Sequence, residues 1–447
     1  MTFVDFMFES FAERPDQPAV VASGASCSFG ELRDLCDHWA GELDRHGVGA
    51  GTVVGLEGEF SPNAIALLLA LVERAAIVVP QSNVSRSGRD RKDEIAEVEA
   101  YFYVDDRDAV RFERTGRSAS HELYAELRRR ERPGLVLFSS GTSGDPKAAV
   151  HDFTFLLEKF HVRRPALTTL TFLLFDHWGG LNTMLHALSN GGTVVTGRDR
   201  SPEGVCELIE QHRVELLPAT PTFLNLLLLS GAHRDRDLSS LRIITYGAEP
   251  MPESTLERLR QVFGDIKLQQ TYGLIEVGVL RSKSREDGSL WVRLGGEGYE
   301  TRVVDGILEI KTRSTILGYL NAPTPITADG WFITGDAVLQ DGEWFRILGR
   351  KSELINVGGE KVYPAEVESV IQSMGDVEEA TVYGERNPLV GHIVCAKVRA
   401  SVPVDPSEFA ARVRRHCGER LERFKVPVKV EIVEEQQFGD RFKKIRR

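Results

Sequence analysis

Helix-like and strand-like stretches alternate along this 447-residue chain as far as about residue 290. The stretch ELRDLCDHWAGELDRHG (31–47) has apolar residues at helical spacing and ends on a glycine, and TVVGLEG (52–58) is typical of a strand. The helix-to-strand order recurs in NAIALLLALVERAA with AIVVP, in SPEGVCELIEQH with VELLPAT, and in PESTLERLRQVFG with IKLQQTYG. Such repeated alternation predicts an α/β fold with stacked, mostly parallel β-sheets covered by helices.

The pattern changes near residue 290, where short β-rich segments separated by glycine and Asp-Gly turns begin. SLWVRLGG, TRVVDGILEIKT, WFITGDAVLQ and GEWFRILG predict a twisted β-subdomain or barrel-like unit over about 290–349. Helix, two strands and helix follow in PAEVESVIQSM, EEATVYGE, IVCAKVRA and PSEFAARVRRHCGERL. We therefore predict a large N-terminal core over 1–349 and a small α+β C-terminal domain over 350–447.

Composition excludes several classes of function. Lys plus Arg total 55 against 66 Asp plus Glu, and a net charge of −11 argues against broad nucleic-acid binding. The five cysteines are scattered and include no C-x-x-C pair, which favours reduced thiols in a cytoplasmic protein over a zinc site or disulfides. The N-terminus lacks a basic signal-peptide region, and the run AIALLLALV (64–72) is too short to span a bilayer. We expect neither a nucleic-acid nor a membrane partner.

The stretch LVLFSSGTSGDPKAAVH (135–151) places a flexible loop and a cation directly after a buried strand. Successive backbone N–H groups in a glycine-rich loop can cradle phosphate oxygens, and Lys147 adds a positive charge. The spacing is not that of the Walker phosphate loop. On its own, the loop is equally typical of a mobile surface connection.

Five further segments follow the loop in order, and together they carry a resemblance to a known family. They are YGAEP (246–250), QTYGLIE (270–276), FITGDAV (332–338), GRKSELINVGGEKVYPAEVE (349–368) and FKKIRR (442–447). With the loop, they resemble the motifs of the acyl-adenylate-forming superfamily, which includes acyl- and aryl-CoA ligases, the adenylation domains of peptide synthetases, and luciferases. LINVGGEKVYPAEVE is closest to the version found in acyl-CoA ligases.

The resemblance implies an ATP-dependent enzyme that joins a carboxylate to AMP, releases pyrophosphate and passes the acyl group to CoA or a carrier-protein pantetheine. Glu276 would ligate Mg²⁺, Tyr272 would stack on adenine, and Asp336 with Arg350 would hold the ribose. The full set of implied ATP-binding residues is Ser139, Ser140, Gly141, Thr142, Ser143, Gly144, Lys147, Gly247, Ala248, Glu249, Gln270, Thr271, Tyr272, Gly273, Asp336, Ile347 and Arg350.

The C-terminal tail is expected to supply a catalytic lysine. Alignment of Ile445 and Arg447 with the family's G-K-I-x-R selects Lys444 over Lys443. The family also implies that the C-terminal domain is mobile, with a hinge near Ser352, and that it rotates for the second half-reaction. Gly358 and Gly359 would then leave room for the pantetheine arm of the thiol acceptor.

The acid pocket is implied by FDHWGGLNTML (175–185), which resembles a ligase segment that places His177 at the pocket mouth. Trp178, Tyr246, Gly247 and Leu274 would complete a narrow pocket for a small aromatic or short-chain acid. Asp176 could contact a substrate amine, as an acid does in amino-acid adenylation domains, but the better alignment uses His177.

The sequence also departs from the family pattern. Ile275 replaces a threonine, Ala148 a glycine, Ser352 an aspartate or lysine, and Lys443 a glycine, while Phe438-Gly439-Asp440 replaces Pro-Lys-Thr. These departures leave two alternatives open. One is an adenylating enzyme that passes its product to nitrogen or another non-thiol nucleophile, as in amide- or diazo-forming relatives. The other is a degenerate nucleotide-binding protein without enzymatic activity.

Overall fold

The first sheet of the N-terminal core is mostly parallel. The computed structural model describes residues 3–83, 88–139, 146–286, 288–296 and 298–444. Within these ranges the sheet has seven strands, and only its last two are antiparallel to each other. In spatial order the strands are Lys267–Gln270, Ile243–Tyr246, Leu216–Ala219, Thr169–Leu170, Val194–Val195, Pro18–Ala22 and Ala25–Ser28.

A second seven-stranded sheet has a parallel centre and antiparallel edges. In spatial order its strands are Gly318–Tyr319, Lys147–Asp152, Gly134–Ser139, Ile77–Gln81, Val53–Glu57, Ala100–Val104 and Val110–Arg114. The two sheets confirm the predicted α/β class. The antiparallel partner of Gly134–Ser139 is the strand that begins at Lys147, so the loop predicted to bind phosphate joins two adjacent strands.

The helices Phe29–Arg45 and Pro62–Glu73 lie between the two sheets. Their apolar side chains share one core cluster with Val20 of the first sheet and Leu137 of the second. The longer helix begins at a capping box between Ser28 and Glu31. Gly47, at which the sequence predicts the helix to end, follows it with a positive φ. The remaining α-helices are Asp5–Ala12, Arg89–Ile95, Glu122–Arg130, Phe153–Leu157, Trp178–Ser189, Pro202–His212, Pro221–Ser230, Glu253–Val262, Pro364–Gln372 and Pro406–Gly418.

The β-rich subdomain is an antiparallel sheet that follows the hairpin of Tyr272–Leu274 and Gly278–Leu280. Its strands, in spatial order, are Ser282–Ser284, Trp291–Leu294, Trp344–Arg350, Phe332–Asp341, Ile307–Thr312 and Tyr299–Val304. Asp336 and Arg350 face each other in the register of the two central strands. The pairing therefore places two residues predicted to bind ribose on the same side of the sheet.

The C-terminal domain has its own sheet and its own apolar core. Its strands are Glu360–Val362, Ile355–Val357, Gly391–Ala400, Val377–Asn387 and Lys429–Ile432. This α+β unit confirms the predicted two-domain architecture, whereas the boundary and hinge near Ser352 stay predictions. Across the described ranges, no helix combines the length and apolar character needed to cross a membrane.

Candidate active site

Two loops leave the carboxyl edge of the first sheet side by side. Tyr246 and Gln270 are partners in parallel strands, so the segments that begin at Gly247 and Thr271 start at the same level. The backbone N–H of Thr271 donates to the carbonyl of Tyr246 at 2.7 Å. A Cβ atom at Gly247 would lie 2.5 Å from the Thr271 hydroxyl oxygen, so only glycine fits there. Ligands of open α/β sheets bind at this edge.

The turn after Gly247 is held in a conformation that is rare for a non-glycine residue. Ala248 has a φ of 71°, a left-handed geometry that costs roughly 1–2 kcal/mol. Glu249 compensates locally, because its Oε1 accepts the backbone N–H of Thr222 at 2.8 Å, at the start of the helix Pro221–Ser230. Gln270 is buried, and among the described residues its Oε1 has no hydrogen-bond partner. This side chain can therefore accept a hydrogen bond from a ligand.

Asp336, Arg350 and Tyr272 form a polar cluster on the β-rich subdomain, in which Asp336 and Tyr272 are buried and Arg350 is exposed. The Tyr272 hydroxyl donates to Asp336 Oδ2 at 2.5 Å, and Arg350 Nε lies 2.9 Å from Asp336 Oδ1. Arg350 is itself fixed by donating to the Thr334 carbonyl at 2.6 Å. Burial raises the pKa of Asp336, while the Arg350 guanidinium opposes that shift. Each carboxylate oxygen keeps a lone pair with which it could accept a ribose hydroxyl.

Tyr272 also belongs to the apolar core of the β-rich subdomain, where Leu274 and Ile347 pack against the same cluster. Burial, followed by the charge of Asp336, raises the pKa of the Tyr272 hydroxyl far above its usual value. The phenol therefore stays protonated and acts as a donor. Gly273 lies in the adjoining hairpin, where a Cβ would come within 2.9 Å of the Gly278 carbonyl.

Glu276 lies where the second sheet meets this hairpin. Its backbone carbonyl accepts the Ile316 N–H at 2.9 Å, and its Oε1 accepts the Tyr319 hydroxyl at 2.6 Å. The Lys147 ammonium lies 5.6 Å from the centre of the Tyr319 ring. Lys147 is the register partner of Ser139 at the end of the strand Gly134–Ser139. Tyr319 thus contacts both Lys147, which is predicted to bind phosphates, and Glu276, which is predicted to bind Mg²⁺.

The rest of the predicted phosphate loop, Ser140, Gly141, Thr142, Ser143 and Gly144, lies outside the described residues. Its role stays a prediction.

His177 caps the helix Trp178–Ser189 from the segment predicted to hold the acid. Its Nδ1 accepts the backbone N–H of Gly179 at 3.0 Å, and its Nε2 lies 3.2 Å from the Lys443 ammonium. Burial, reinforced by the nearby cations Lys443, Arg441 and Arg200, lowers the pKa of His177 well below its usual value. The ring is therefore neutral at physiological pH.

Two other residues of the predicted acid pocket, Trp178 and Tyr246, each bury a polar atom that has no hydrogen-bond partner among the described residues. Trp178 and Tyr246 are about 2% and 1% exposed. In the part of the chain that the structure describes, neither the Trp178 Nε1 nor the Tyr246 hydroxyl has a hydrogen-bond partner. A buried polar group left unpaired costs about 1–3 kcal/mol, and a polar substituent of a ligand could remove that cost.

The structure separates the side chains of the two C-terminal lysines, and the catalytic role of Lys444 stays a prediction. The Lys444 ammonium lies outside the cleft, 2.9 Å from Glu368 Oε2 in the C-terminal domain, and the Lys443 ammonium lies inside it, against His177. The physical reason is that neighbouring side chains in extended backbone point in opposite directions. Lys444 forms an antiparallel bridge with Phe438, so only one of the two lysines can face the cleft.

Gly358 and Gly359 are not brought into this cluster. They form an exposed turn between the strands Ile355–Val357 and Glu360–Val362, with φ values of 61° and 98°. The Gly358 N–H donates to the Val390 carbonyl at 2.7 Å, which ties the turn to the neighbouring hairpin. Their predicted contact with a thiol acceptor requires another orientation of the C-terminal domain.

Sequence reasoning missed the contact between Tyr319 and Glu276 and did not place Lys443 in the cleft. Tyr319 reaches Glu276 only because its two-residue strand pairs with the strand of Lys147, a long-range contact without a local signal. Lys443 did carry a signal, since it replaces the glycine that the family pattern has before its lysine.

Comparison with known proteins finds two family models that match this chain. The family described as "AMP-binding enzyme" matches residues 7–305, and the one described as "AMP-binding enzyme C-terminal domain" matches 366–437. An indoleacetate–CoA ligase of Aromatoleum aromaticum is 28% identical over 94% of this chain and 92% of its own length. A 2-succinylbenzoate–CoA ligase of Bacillus licheniformis is 27% identical over 92% of both chains.

A solved structure with a similar fold is the anthranilate CoA ligase AuaEII in complex with anthranoyl-AMP. It superposes with a TM-score of 0.84 at 18% identity, over 99% of this chain and 95% of the other.

Proposed function

Because this chain belongs to the AMP-binding enzyme family, we propose that its cleft activates a small aromatic carboxylic acid as the acyl-adenylate. ATP-dependent, AMP-forming ligation of an acid to a thiol is the reaction class of the chain, which is therefore an enzyme rather than a degenerate relative. One observation supports the proposal above all others. The residues assigned to ribose, Mg²⁺ and the acid lie within electrostatic reach of one another, because Glu276 acts on Asp336, and Glu249, Glu276 and Arg350 act on the Lys443 ammonium beside His177.

In the first step, a carboxylate oxygen of the acid attacks the α-phosphorus of ATP. A C–O–P linkage forms and the bond to pyrophosphate breaks. We assign the ribose hydroxyls to Asp336, which Tyr272 and Arg350 hold in place. We assign the β- and γ-phosphates to Lys147 and the loop before it. Fixed charges of this kind stabilise negative charge that develops on the phosphate oxygens.

Glu276 is the residue we assign to Mg²⁺. Mg²⁺ usually takes one or two carboxylates and completes its octahedron with phosphate oxygens and water, so a single glutamate at the phosphate end fits it. Oε1 accepts the Tyr319 hydroxyl, which orients the carboxylate. When bound, the ion would neutralise charge on the phosphates.

The acid is proposed to be small and aromatic. The relatives named above act on indoleacetate and 2-succinylbenzoate. We assign the pocket walls in this chain to Trp178 and Tyr246, whose flat side chains would suit an aromatic ring and whose unpaired indole N–H and hydroxyl could pair with a ring substituent. A benzoate or arylacetate that carries one polar substituent meets these conditions.

The acceptor in the second step is a thiol, and we propose free CoA. The sulfur would attack the acyl carbon, forming the thioester and releasing AMP. An acyl carrier protein would use the same pantetheine chemistry. Side-by-side assays with CoA and a pantetheinylated carrier protein distinguish the two.

Hydroxylamine trapping with a panel of substituted benzoates, arylacetates and short-chain acids tests the proposal. Aromatic acids should give hydroxamates and ATP–pyrophosphate exchange, and CoA should accelerate AMP release with at least one of them. Exchange only with aliphatic acids would contradict the proposed substrate class. AMP release that responds to amines but not to thiols would show a nitrogen acceptor instead.

A further inference from the structure

Beside the predicted acid pocket lies a partly buried ammonium group that the proposed reaction does not use. Lys159 Nζ donates to Asn182 Oδ1 at 2.6 Å and to the Val279 carbonyl at 2.9 Å. Asn182 belongs to the helix Trp178–Ser189, and Val279 to the hairpin strand Gly278–Leu280. The ammonium therefore lies between a helix and a hairpin that both carry residues predicted to line the pocket.

This ammonium has no counter-charge in the part of the chain that the structure describes. No carboxylate there lies within ion-pair distance of Lys159, and the adjacent Glu158 pairs instead with Arg313 at 3.1 Å. Burial, followed by the positive charge of Arg281, lowers the pKa of Lys159 to about 7. An ammonium carries three donors, and the two oxygens that it contacts are neutral. A cation in this setting favours an anionic ligand.

A second donor without a partner lies on the same side of the helix. Trp178 and Asn182 are four positions apart, so their side chains lie one above the other, about 6 Å along the helix axis. The buried Trp178 Nε1–H has no partner among the described residues, and a Cβ at Gly278 would lie 3.5 Å from this nitrogen. Gly278 directly precedes Val279, whose carbonyl accepts from Lys159. The indole N–H and the ammonium thus lie beside adjacent residues of one strand.

The next residue on this side of the helix, His186, adds no charge. Burial, followed by the charges of Lys159 and Arg164, lowers the pKa of His186 to about 4, so its ring is neutral at physiological pH. The groups that surround the Lys159 ammonium are therefore neutral or, like Arg281, positive. An anion placed beside the ammonium would meet no repulsion from these groups.

The order of groups along the helix matches the length of a small aromatic acid. His177, the N-cap residue, is predicted to lie at the mouth of the pocket, and Trp178 follows as its proposed wall. Asn182, which holds Lys159, lies about 7.5 Å further along the axis than His177. If the reacting carboxylate lies at the mouth and the ring beside Trp178, a substituent at the far side of the ring would point towards Lys159.

We propose that Lys159 and the Trp178 indole N–H form an anion subsite, and that the preferred substrate is an aromatic acid with a second carboxylate. The inference rests on the proposed adenylation and narrows its substrate class, because it makes the ring substituent negatively charged. Lys159 would contact only this substituent and take no part in bond formation. A charge-assisted hydrogen bond in a poorly hydrated site would supply the selectivity.

Matched pairs of acids test this inference. Each pair consists of a benzoate or arylacetate that carries a second carboxylate, on the ring or on a short carbon chain, and the same acid with a carboxamide in that place. For at least one pair, the wild type should favour the dicarboxylate about ten- to a hundredfold in kcat/KM for ATP–pyrophosphate exchange, mainly through KM. Normal exchange without such a preference in any pair would overturn the inference and leave adenylation intact.

Two variants separate recognition of the anion from structural support. Lys159→Met removes the charge, keeps a long side chain and should abolish the preference. Asn182→Asp supplies the missing counter-charge and keeps the ammonium in place, so a purely structural bridge would survive while the preference should again disappear. Lys283→Met, which removes an exposed lysine from the strand Ser282–Ser284, should keep the wild-type preference. A preference that persists in both Lys159→Met and Asn182→Asp would contradict the role of Lys159.

Calorimetric titration makes the same comparison without catalysis. Each acid is titrated into the protein in the presence of a non-hydrolysable ATP analogue. The wild type should bind the dicarboxylate more tightly than its carboxamide, and Lys159→Met should remove the difference. Selective binding of the dicarboxylate without any exchange would contradict the proposed function and still support the anion subsite, whereas equal affinities for the two acids of every pair would exclude the subsite.

Discussion

At the residue scale, the cleft is organised by carboxylates that protein donors hold in fixed orientations. Tyr272 and Arg350 both contact the Asp336 carboxylate. The Tyr319 hydroxyl donates to Glu276, and a backbone N–H in the first turn of the helix Pro221–Ser230 donates to Glu249. Such prior orientation spares the enzyme the cost of ordering these groups when ATP binds. The proposed contact between Asp336 and the ribose can be tested with a substitution that keeps the shape of the side chain.

Asp336→Asn should weaken ATP binding about ten- to a hundredfold. The amide keeps the shape of the side chain and can still accept from Tyr272, but it loses the charge that pairs with Arg350 and strengthens hydrogen bonds from ribose hydroxyls. Calorimetric titration with ATP measures the change.

Asp341→Asn is a matched control for that titration. Asp341 lies on the same strand and also pairs with an arginine, Arg285 at 2.7 Å, but the pair is exposed. Its loss should leave ATP affinity unchanged. Equal affinities of wild type and Asp336→Asn for ATP would remove the ribose assignment.

At the scale of elements, the position of the C-terminal tail depends on a contact between Arg441 and the segment before the helix Trp178–Ser189. Asp176, which the sequence left without a firm role, pairs with Arg441 of the tail. Asp176 is 6% exposed, and in the described ranges its other oxygen has no hydrogen-bond partner. The ion pair therefore joins the tail to the predicted acid pocket, at a position where water screens the charges poorly.

Asp176→Asn should release the tail from the cleft and slow ATP–pyrophosphate exchange about tenfold or more. Without the carboxylate, Arg441 loses its paired counter-charge while it stays close to the cations Arg200 and Lys443. Thioester formation from supplied acyl-AMP should change little, because the predicted rotation of the C-terminal domain would withdraw the tail from the cleft before this half-reaction. The two rates are measured separately by isotope exchange and by thioester yield.

Glu385→Gln supplies the comparison, since it removes an exposed ion pair with Lys429 at 3.1 Å within the C-terminal domain. It should leave both rates as in wild type. A loss of both half-reactions in equal proportion after Asp176→Asn would mean that the residue serves folding rather than the seating of the tail.

These elements also show how far the sequence predicts the molecule. Local patterns predicted the helices and the parallel strands, because apolar period and capping residues act within a few positions, as in the helix Phe29–Arg45. Which of Lys443 and Lys444 faces the cleft depends on the contact between Arg441 and Asp176, which lies more than 260 positions earlier in the chain. Tyr319 reaches Glu276 through a pairing of distant strands. Contacts between residues so far apart in the chain produce no periodic pattern in the sequence.

At the scale of the whole molecule, the structure has the tail in the cleft and the Gly358-Gly359 turn exposed. This is the arrangement expected for the first half-reaction, and the second would require the C-terminal domain to rotate about the predicted hinge near Ser352. A substitution that fills the glycine turn should therefore affect only the second half-reaction.

Gly358→Asn should slow thioester formation at least tenfold and leave ATP–pyrophosphate exchange within about twofold. Asparagine tolerates the left-handed φ of 61°, and among the described atoms none lies within 4 Å of a Cβ at this position. The added side chain would occupy the path proposed for the pantetheine arm. Single-turnover assays of each half-reaction measure the two rates.

Gly342→Asn is the matched control, because Gly342 lies in another exposed turn with a φ of 59° and is equally uncrowded within the described part of the chain. It should affect neither rate. Normal thioester formation by Gly358→Asn would argue against any passage of the acceptor along this turn.

The central claim is that one cleft joins an acid oxygen to the α-phosphorus of ATP. The most direct measurement uses the acid that gives the fastest hydroxamate formation, labelled with ¹⁸O in its carboxylate, together with ATP and CoA. Mass spectrometry of the products should find one ¹⁸O atom in AMP and none in pyrophosphate. Unlabelled AMP, label in pyrophosphate, or ADP as the product would contradict the account.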